Sequence, residues 1–227
     1  LIAHYKDFKD IEIINMLTLG NSPWCEPQMK GHFKLNCLFA SQSNRASISN
    51  GTSEFTTSHF YEIPEIIKNY LCPRVSIVMV SPPDEHGYVS FGTTVDYSKG
   101  TADHCEVVIA QVNKYMPRTF GNSIKHVRDF TAFVEIDEPL PEVKTGEASA
   151  VEMEIGKYCA SLIKDGDCLQ LGIGGMPNAL GRLIAESDLP DLGMHTELCS
   201  DGYLAMFRTG KLTNRRKPLH TGKGVYG

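Results

Sequence analysis

The chain has 227 residues, of which 41% are hydrophobic, and it carries a formal charge of −5 at pH 7 with a pI near 5.9. A chain of this length can bury a large core and form one or two domains. The mild acidity argues against a nucleic-acid partner, and no apolar stretch approaches the ~20 residues that cross a bilayer. We therefore expect a globular protein with no membrane partner and no signal peptide.

Alternating apolar runs in the first 140 residues or so predict an α/β fold. The run at residues 75–80 is apolar at every position but one, which is typical of a parallel strand covered on both faces. Residues 1–5 are predicted to end a helix, and residues 21–31 to form a loop. Further strands are predicted at residues 11–17, 34–39, 55–57, 88–91 and 107–111, with helices at 46–50, 63–70 and 96–104.

A linker is predicted at residues 137–146, where prolines and acidic residues leave few positions for a core. We accordingly expect one domain at residues 1–144 and the start of another at 145–227. Residues 6–20 and 186–200 share an acidic and apolar pattern before a buried strand, which favours two similar α/β domains. In that alignment Leu17 stands opposite Glu197.

After the linker, apolar residues at helical spacing predict an amphipathic helix at residues 147–164: Val151, Ile155, Cys159 and Leu162. This helix leads into the short apolar run 168–171, which breaks into three glycines and then Pro177. The pattern predicts a strand, a tight loop and a helix that starts at the proline.

The glycine loop is a candidate anion site, because glycines admit a ligand close to the backbone and the first amides of a helix lack partners. Its residues are Leu171, Gly172, Ile173, Gly174 and Gly175. We expect Gly174 or Gly175 to adopt a backbone conformation unfavourable to other residues, or to lie too close to the ligand for a side chain. The spacing excludes the dinucleotide fingerprint and the Gly-Lys-Ser/Thr phosphate loop.

Glu197 ends a second apolar run, residues 192–196, and a helix is predicted to start near Ser200. Strand ends lie side by side at the ligand-binding edge of an open α/β sheet, so we expect this carboxylate beside the donors of the glycine loop. A solvated cap at the end of a strand remains the alternative for an isolated glutamate. His195 is expected on the opposite face, as a core or hydrogen-bonded histidine.

Seven scattered cysteines without a C-x-x-C pair predict free thiols in a reducing cytoplasm, with neither disulfides nor a zinc site. Cys199 is two residues from Glu197, but a small core residue is a better interpretation than a nucleophile. A basic cluster follows at Lys211, Arg215, Arg216, Lys217 and Lys223. It is interpreted as a solvated hairpin, with binding of phosphate groups as the alternative.

Four segments in order, residues 80–88, 116–121, 169–177 and 193–202, resemble the acetyl-CoA hydrolase/transferase family over essentially the whole chain. The resemblance implies two open, mainly parallel α/β domains. Members of the family are nearly twice as long and this chain begins at Leu1, so we expect a fragment whose second domain is incomplete.

The resemblance further implies that Glu197 is a covalent nucleophile and that the glycine loop contacts coenzyme A. The expected substrates are a short-chain acyl-CoA, such as acetyl-, butyryl- or 4-hydroxybutyryl-CoA, and a free carboxylate, with no permanently bound cofactor and no metal. We also expect a cytoplasmic homodimer or higher homo-oligomer. Three functions remain open: CoA transfer, acyl-CoA hydrolysis on the same scaffold, and non-catalytic ligand binding.

Overall fold

The computed structural model describes residues 1–143 and 146–227. The chain divides into two compact units, Leu1–Pro141 (unit 1) and Glu142–Gly227 (unit 2). The domain boundary predicted between residues 144 and 145 falls on Lys144 and Thr145, which lie outside the described residues. It therefore remains a prediction.

The first sheet of unit 1 contains three parallel strands in the order β1 (Ile11–Asn15), β2 (Phe33–Cys37) and β3 (Glu54–Phe55). Helix α1 (Arg45–Ser49) connects β2 to β3, as predicted. Before β1, residues Ile2–Asp7 form a 3-10 helix. The strand predicted at residues 11–17 ends at Asn15, and only its last residue is buried.

The second half of unit 1 begins with α2 (Ile63–Ile66), which continues as one π-helical turn, Ile67–Leu71. There follow β4 (Val75–Val80), β5 (Tyr88–Ser90), α3 (Asp96–His104), β6 (Val107–Asn113), β7 (Ile124–His126) and β8 (Ala132–Ile136). A parallel sheet has the order β4-β6-β8, while β5 and β7 form an antiparallel pair. Strands β7 and β8 were not predicted from the sequence.

The expectation that β4 is covered on both faces is wrong for the part of the chain that the structure describes. Val78 and Val80 pack into the core of the unit with Phe91 and Ala110. Val75 and Ile77, which alternate with them, are 50% and 51% exposed. A strand with apolar residues on both faces can thus leave one face exposed. Apolar residues can be buried, but their presence does not show that another element covers them.

Unit 2 contains α4 (Ala150–Leu162), β9 (Cys168–Leu169), α5 (Gly175–Glu186), β10 (Gly193–Met194) and α6 (Asp201–Arg208). Strands β9 and β10 are parallel. The core lies between this strand pair and the last two helices, and it comprises Leu171, Leu180, Ile184, Ala185, Leu192, Met194, Tyr203 and Met206.

Helix α4 starts at a capping box in which Ser149 and Glu152 exchange hydrogen bonds. Its predicted apolar stripe is only partly buried. Cys159 packs against the core, but Val151, Ile155 and Leu162 are exposed within the described residues. The contact with α5 is made instead by a face that includes Gly156, where an added Cβ would lie 3.3 Å from Leu183 Cδ1. A side chain at residue 156 would make a tight contact with Leu183, so the small residue favours close approach of the two helices.

The predicted α/β class with mainly parallel sheets is confirmed. Across residues 1–143 and 146–227, none of the helices combines the length and the apolar character that crossing a membrane requires.

Candidate active site

The glycine loop connects β9 to α5, and its last residue, Gly175, is the first residue of that helix. Leu171 anchors the start of the loop in the core, whereas Gly172 and Ile173 are exposed. Helix α5 begins at Gly175, so the helix starts two residues earlier than predicted. Pro177 still lies in the first turn, where its missing N–H removes no helical hydrogen bond.

Gly174 stands immediately before α5 with φ 124° and ψ 177°. This conformation is essentially restricted to glycine, because a Cβ would collide with the neighbouring backbone. The prediction of an unfavourable conformation at Gly174 or Gly175 is therefore confirmed at Gly174. Gly172, by contrast, has no positive φ, and an added Cβ would meet only Pro177 Cγ at 3.9 Å.

The loop presents unpaired donors. The backbone N–H groups of Gly172, Ile173 and Gly174 find no acceptor among the residues that the structure describes. Backbone N–H groups without a protein partner hydrogen-bond to water or to a ligand. The loop can therefore donate to a carbonyl or an oxyanion placed against it.

The carboxylate of Glu152, in α4, lies at the start of α5. An added Cβ at Gly175 would lie 3.0 Å from Glu152 Oε1. The Ser149 N–H and hydroxyl group, which donate to Glu152 Oε2 over 2.7 and 2.8 Å, lower the pKa of Glu152, and the Met176 N–H lowers it further. The Met176 N–H at this helix start is therefore satisfied internally, whereas the N–H groups of Gly172, Ile173, Gly174 and Gly175 find no acceptor among the described residues.

The segment that carries Glu197 runs beside the strand that leads into the loop. Gly193 and Met194 pair with Cys168 and Leu169 in a parallel register. One residue further on, the His195 N–H donates to the Leu169 carbonyl over 3.1 Å. The predicted side-by-side arrangement of the two strand ends is confirmed.

Two side chains fix the start of the loop to the Glu197 segment and to α6. The hydroxyl of Thr196 donates to the Leu171 carbonyl over 3.2 Å. Tyr203, which is 1% exposed, donates to the Leu169 carbonyl over 2.8 Å and accepts from the Leu171 N–H over 2.9 Å. The residue directly before Glu197 is thus bonded to the residue that opens the glycine loop.

A second strand-like segment, near residue 225, supports Glu197 from the other side. The Thr196 N–H donates to the Val225 carbonyl over 3.0 Å, and the Gly227 N–H donates to the Glu197 carbonyl over 3.1 Å. The backbone of Glu197 is therefore held between two neighbours while its side chain is exposed. The Glu197 carboxylate is thus accessible from solvent.

His195 and Cys199 differ from the expectations. His195 is exposed, so its interpretation as a core residue is wrong, and its ring makes no hydrogen bond within the described ranges. Cys199 is also exposed rather than a core residue. Desolvation and the Asp201 carboxylate raise the pKa of the Cys199 thiol, which keeps it protonated at neutral pH and argues against a nucleophilic role.

The basic cluster is largely engaged within unit 2. Arg215 Nε donates to Asp191 Oδ1 over 3.0 Å, and Arg216 lies 2.8 Å from an oxygen of Asp165. Lys217 is buried and hydrogen-bonds to backbone carbonyls. These contacts argue against phosphate binding by these three residues, and the interpretation as a solvated hairpin is wrong for Lys217, which is buried.

Two polar atoms close to these segments were not predicted from the sequence. Asn178 Oδ1, in the first turns of α5, and Ser200 Oγ, at the start of α6, are buried without a partner among the described residues. Buried polar atoms are nearly always hydrogen-bonded, so such atoms mark a place for water or a ligand. Their position near the glycine loop and Glu197 is visible in the sequence, but their burial is not. The described residues contain no cluster of three or more metal-binding side chains.

Residues 1–141 match the family described as the acetyl-CoA hydrolase/transferase N-terminal domain. The chain belongs to this family. It is 39% identical over 226 residues to the 4-hydroxybutyrate coenzyme A transferase of Clostridium kluyveri, an alignment that covers 99% of the chain and 52% of the relative. It is also 36% identical over 200 residues to the butyryl-CoA:acetate CoA-transferase of Anaerostipes caccae, covering 86% of the chain and 44% of the relative.

Among solved structures, RipA from Yersinia pestis superposes with a TM-score of 0.93 at 30% sequence identity, covering 99% of the chain and 54% of RipA. The chain thus spans about half the length of the relatives it matches. The alignment of 226 residues extends beyond unit 1 and includes the glycine loop and Glu197.

Proposed function

We propose that this protein is a CoA-transferase that moves coenzyme A between a short-chain acyl-CoA and a free carboxylate through a covalent intermediate on Glu197. The observation that carries the proposal is the bond from Thr196 Oγ1 to the Leu171 carbonyl, 3.2 Å long, because it joins the Glu197 segment to the donor-lined loop. The names of the relatives from Clostridium kluyveri and Anaerostipes caccae, both CoA-transferases, support the same reaction class.

The chemistry needs one nucleophilic carboxylate and no external base. The Glu197 carboxylate attacks the thioester carbonyl, which gives a mixed anhydride and releases the CoA thiolate. The thiolate then attacks the glutamyl carbonyl, forming a glutamyl-CoA thioester and freeing the first carboxylic acid as its anion. A second carboxylate reverses both steps, leaves as the new acyl-CoA and regenerates Glu197.

Each attack passes through a tetrahedral intermediate with a negatively charged oxygen. The N–H groups of Ile173, Gly174 and Gly175, together with that of Gly172, are the donors proposed for that oxygen. A preorganised donor of this kind contributes about 3 kcal/mol to transition-state stabilisation. Under this proposal the loop acts on the reacting carbonyl, and the carboxylate of Glu152 satisfies the adjacent helix start.

The proposal extends to the setting of the reaction. The acyl donors are acetyl-, butyryl- or 4-hydroxybutyryl-CoA, the enzyme uses no permanently bound cofactor, and it works in the cytoplasm as a homodimer or higher homo-oligomer. The names of the relatives from Clostridium kluyveri and Anaerostipes caccae support 4-hydroxybutyrate, butyrate and acetate as the acids to test first.

Hydrolysis is the second candidate, because water can attack the same glutamyl thioester. The full-length protein is incubated with acetyl-CoA, with and without butyrate or 4-hydroxybutyrate, while free thiol and new acyl-CoA are measured. Transfer predicts butyryl- or 4-hydroxybutyryl-CoA formation that depends on the added acid, with little free thiol. Free CoA released at the same rate without an acceptor would instead identify a hydrolase.

A further inference from the structure

Lys217 is a buried lysine in a position that the proposed chemistry does not use. It is 5% exposed, and its Nζ donates to the carbonyls of Met194 and Lys223, each over 2.7 Å. Both acceptors are neutral backbone groups. Burying the charge of a lysine costs desolvation free energy, and neutral carbonyls offset this only in part. An apolar residue of similar volume would fill this place at a lower desolvation cost.

The side chain of Lys217 crosses β10 at a glycine. An added Cβ at Gly193 would lie 2.8 Å from Lys217 Cγ and 3.1 Å from its Cδ. The absence of a side chain at Gly193 thus makes room for the aliphatic part of the lysine against the strand. The backbone of Lys217 is fixed as well, because Thr221 Oγ1 donates to its carbonyl over 2.8 Å.

The two carbonyls that Lys217 holds belong to the two segments that pair around Glu197. Met194 lies three residues before Glu197, and its carbonyl also accepts the Val225 N–H over 3.1 Å. Lys223 lies two residues before Val225, whose carbonyl accepts the Thr196 N–H over 3.0 Å. One amino group therefore connects both segments at the point where their pairing begins.

We infer that Lys217 is a positioning residue for Glu197. Its amino group keeps the segment near residue 225 paired with residues 194–197 and so fixes the backbone from which the carboxylate extends. The inference rests on the proposed role of Glu197 as nucleophile. A displacement of about 1 Å at a reacting group can reduce a rate about a hundredfold, so loss of this connection affects the chemical step.

The test compares full-length wild type with Lys217→Met, which keeps the volume and removes the donors. Amide hydrogen exchange is measured by mass spectrometry on the peptides that contain Thr196 and Val225. Exchange in both peptides is expected to rise at least about tenfold, because the pairing opens locally. The kcat for CoA transfer is expected to fall about tenfold to a hundredfold, with KM for acyl-CoA changed less than about threefold.

Two controls separate positioning from a general loss of stability. Lys157→Met removes an exposed lysine of α4 that pairs with Glu154, and it is expected to leave exchange and kcat unchanged. Ile184→Val reduces packing in the fully buried core of unit 2. It is expected to lower the melting temperature without changing kcat. Lys217→Arg retains cationic donors and is expected to recover most of the rate lost in Lys217→Met.

Unchanged exchange in both peptides together with a wild-type kcat in Lys217→Met would overturn the inference, as would an equal loss of kcat in Ile184→Val. If Lys217→Met does not fold, Lys217→Gln, which keeps a shorter donor, is measured by the same criteria. Failure of the proposed function is recognised separately, because wild type would then form no acyl-CoA-dependent adduct on Glu197. In that case the exchange data alone decide whether Lys217 holds the segment.

Discussion

The hydroxyl of Thr196 lies 3.2 Å from the carbonyl oxygen of Leu171 and donates to it. The two residues are neighbours of the two parts of the candidate site, since Glu197 follows Thr196 and Gly172 follows Leu171. This hydrogen bond therefore joins the segment that carries the Glu197 carboxylate to the start of the glycine loop, beside the pairing of β9 with β10. Under the proposed mechanism, movement of either segment would alter the alignment that nucleophilic attack requires.

Tyr203→Phe tests the second connection to Leu171. The substitution leaves the Leu171 N–H without its partner and removes one of the two donors to the Leu169 carbonyl, which keeps the His195 N–H. We expect a stability loss of about 1–3 kcal/mol, because the buried Leu171 N–H is then unpaired. We also expect kcat to fall more than KM changes. Denaturant unfolding and steady-state kinetics measure the two effects, and Tyr158→Phe, whose side chain is 73% exposed, is the matched control.

Gly181→Ala tests the contact between α5 and α6. An added Cβ would lie 2.5 Å from the Cα of Gly202, so the two helices would have to separate. We expect a loss of about 1–3 kcal/mol, measured by denaturant unfolding. Gly100→Ala in α3 is the control, because its Cβ would meet only Pro64 Cβ at 3.6 Å. A helical Gly→Ala change with free space stabilises by about 0.5–1 kcal/mol, so the two variants should shift in opposite directions.

Gly172→Ala and Gly174→Ala separate ligand contact from backbone strain. Gly174 has φ 124°, so alanine there is expected to cost about 1–3 kcal/mol of stability. Gly172 has no such restriction and has space for a methyl group. If acyl-CoA packs against the loop, Gly172→Ala should keep its melting temperature and lose at least about tenfold in kcat/KM. Normal kinetics in Gly172→Ala would show that the ligand does not approach this residue.

The pKa of Glu152 is lowered by the hydrogen bonds from Ser149, with a further effect of the Met176 N–H. A lowered pKa in the folded state means that the carboxylate stabilises the fold above its unfolded pKa of about 4.3 and that this contribution is lost as pH falls through the folded value. We therefore expect Glu152→Gln to melt below wild type near pH 7. The difference should shrink below about pH 4. A difference that stays constant between pH 7 and pH 3 would contradict this explanation.

Apolar patterns in the sequence predicted correctly those helices and strands that are specified by their own residues. The bounds of β4 and α3 agree with the predicted ranges 75–80 and 96–104. Strand β8 was missed, because it has no buried residue and depends on pairing with β6. The pairing near residue 225 was missed for a similar reason, since its strength comes from backbone bonds to Met194 and Thr196 that no local pattern records.

In the candidate site, too, features set by the local sequence were predictable and features set by tertiary contacts were not. The positive φ at Gly174 was predictable, because a glycine-rich turn between a strand and a helix commonly needs one. The burial of Lys217 was not predictable, because lysine in a basic and polar stretch is usually exposed and only the room above Gly193 admits its stem. The exposure of His195 also depended on tertiary structure, since strand alternation alone does not say which face is covered.

The most direct test of the proposed mechanism is the detection of a covalent adduct on Glu197. Full-length protein is exposed to acyl-CoA, treated with borohydride and digested, and the peptide that contains Glu197 is analysed by mass spectrometry. A glutamyl thioester predicts reduction of this side chain only after exposure to acyl-CoA. Glu197→Gln, in which the amide is a very poor nucleophile, should show neither the adduct nor transfer, and Glu197→Asp should lose most activity because its carboxylate is set back by roughly 1.5 Å. An adduct on another residue, or near-normal transfer by Glu197→Gln, would contradict the mechanism.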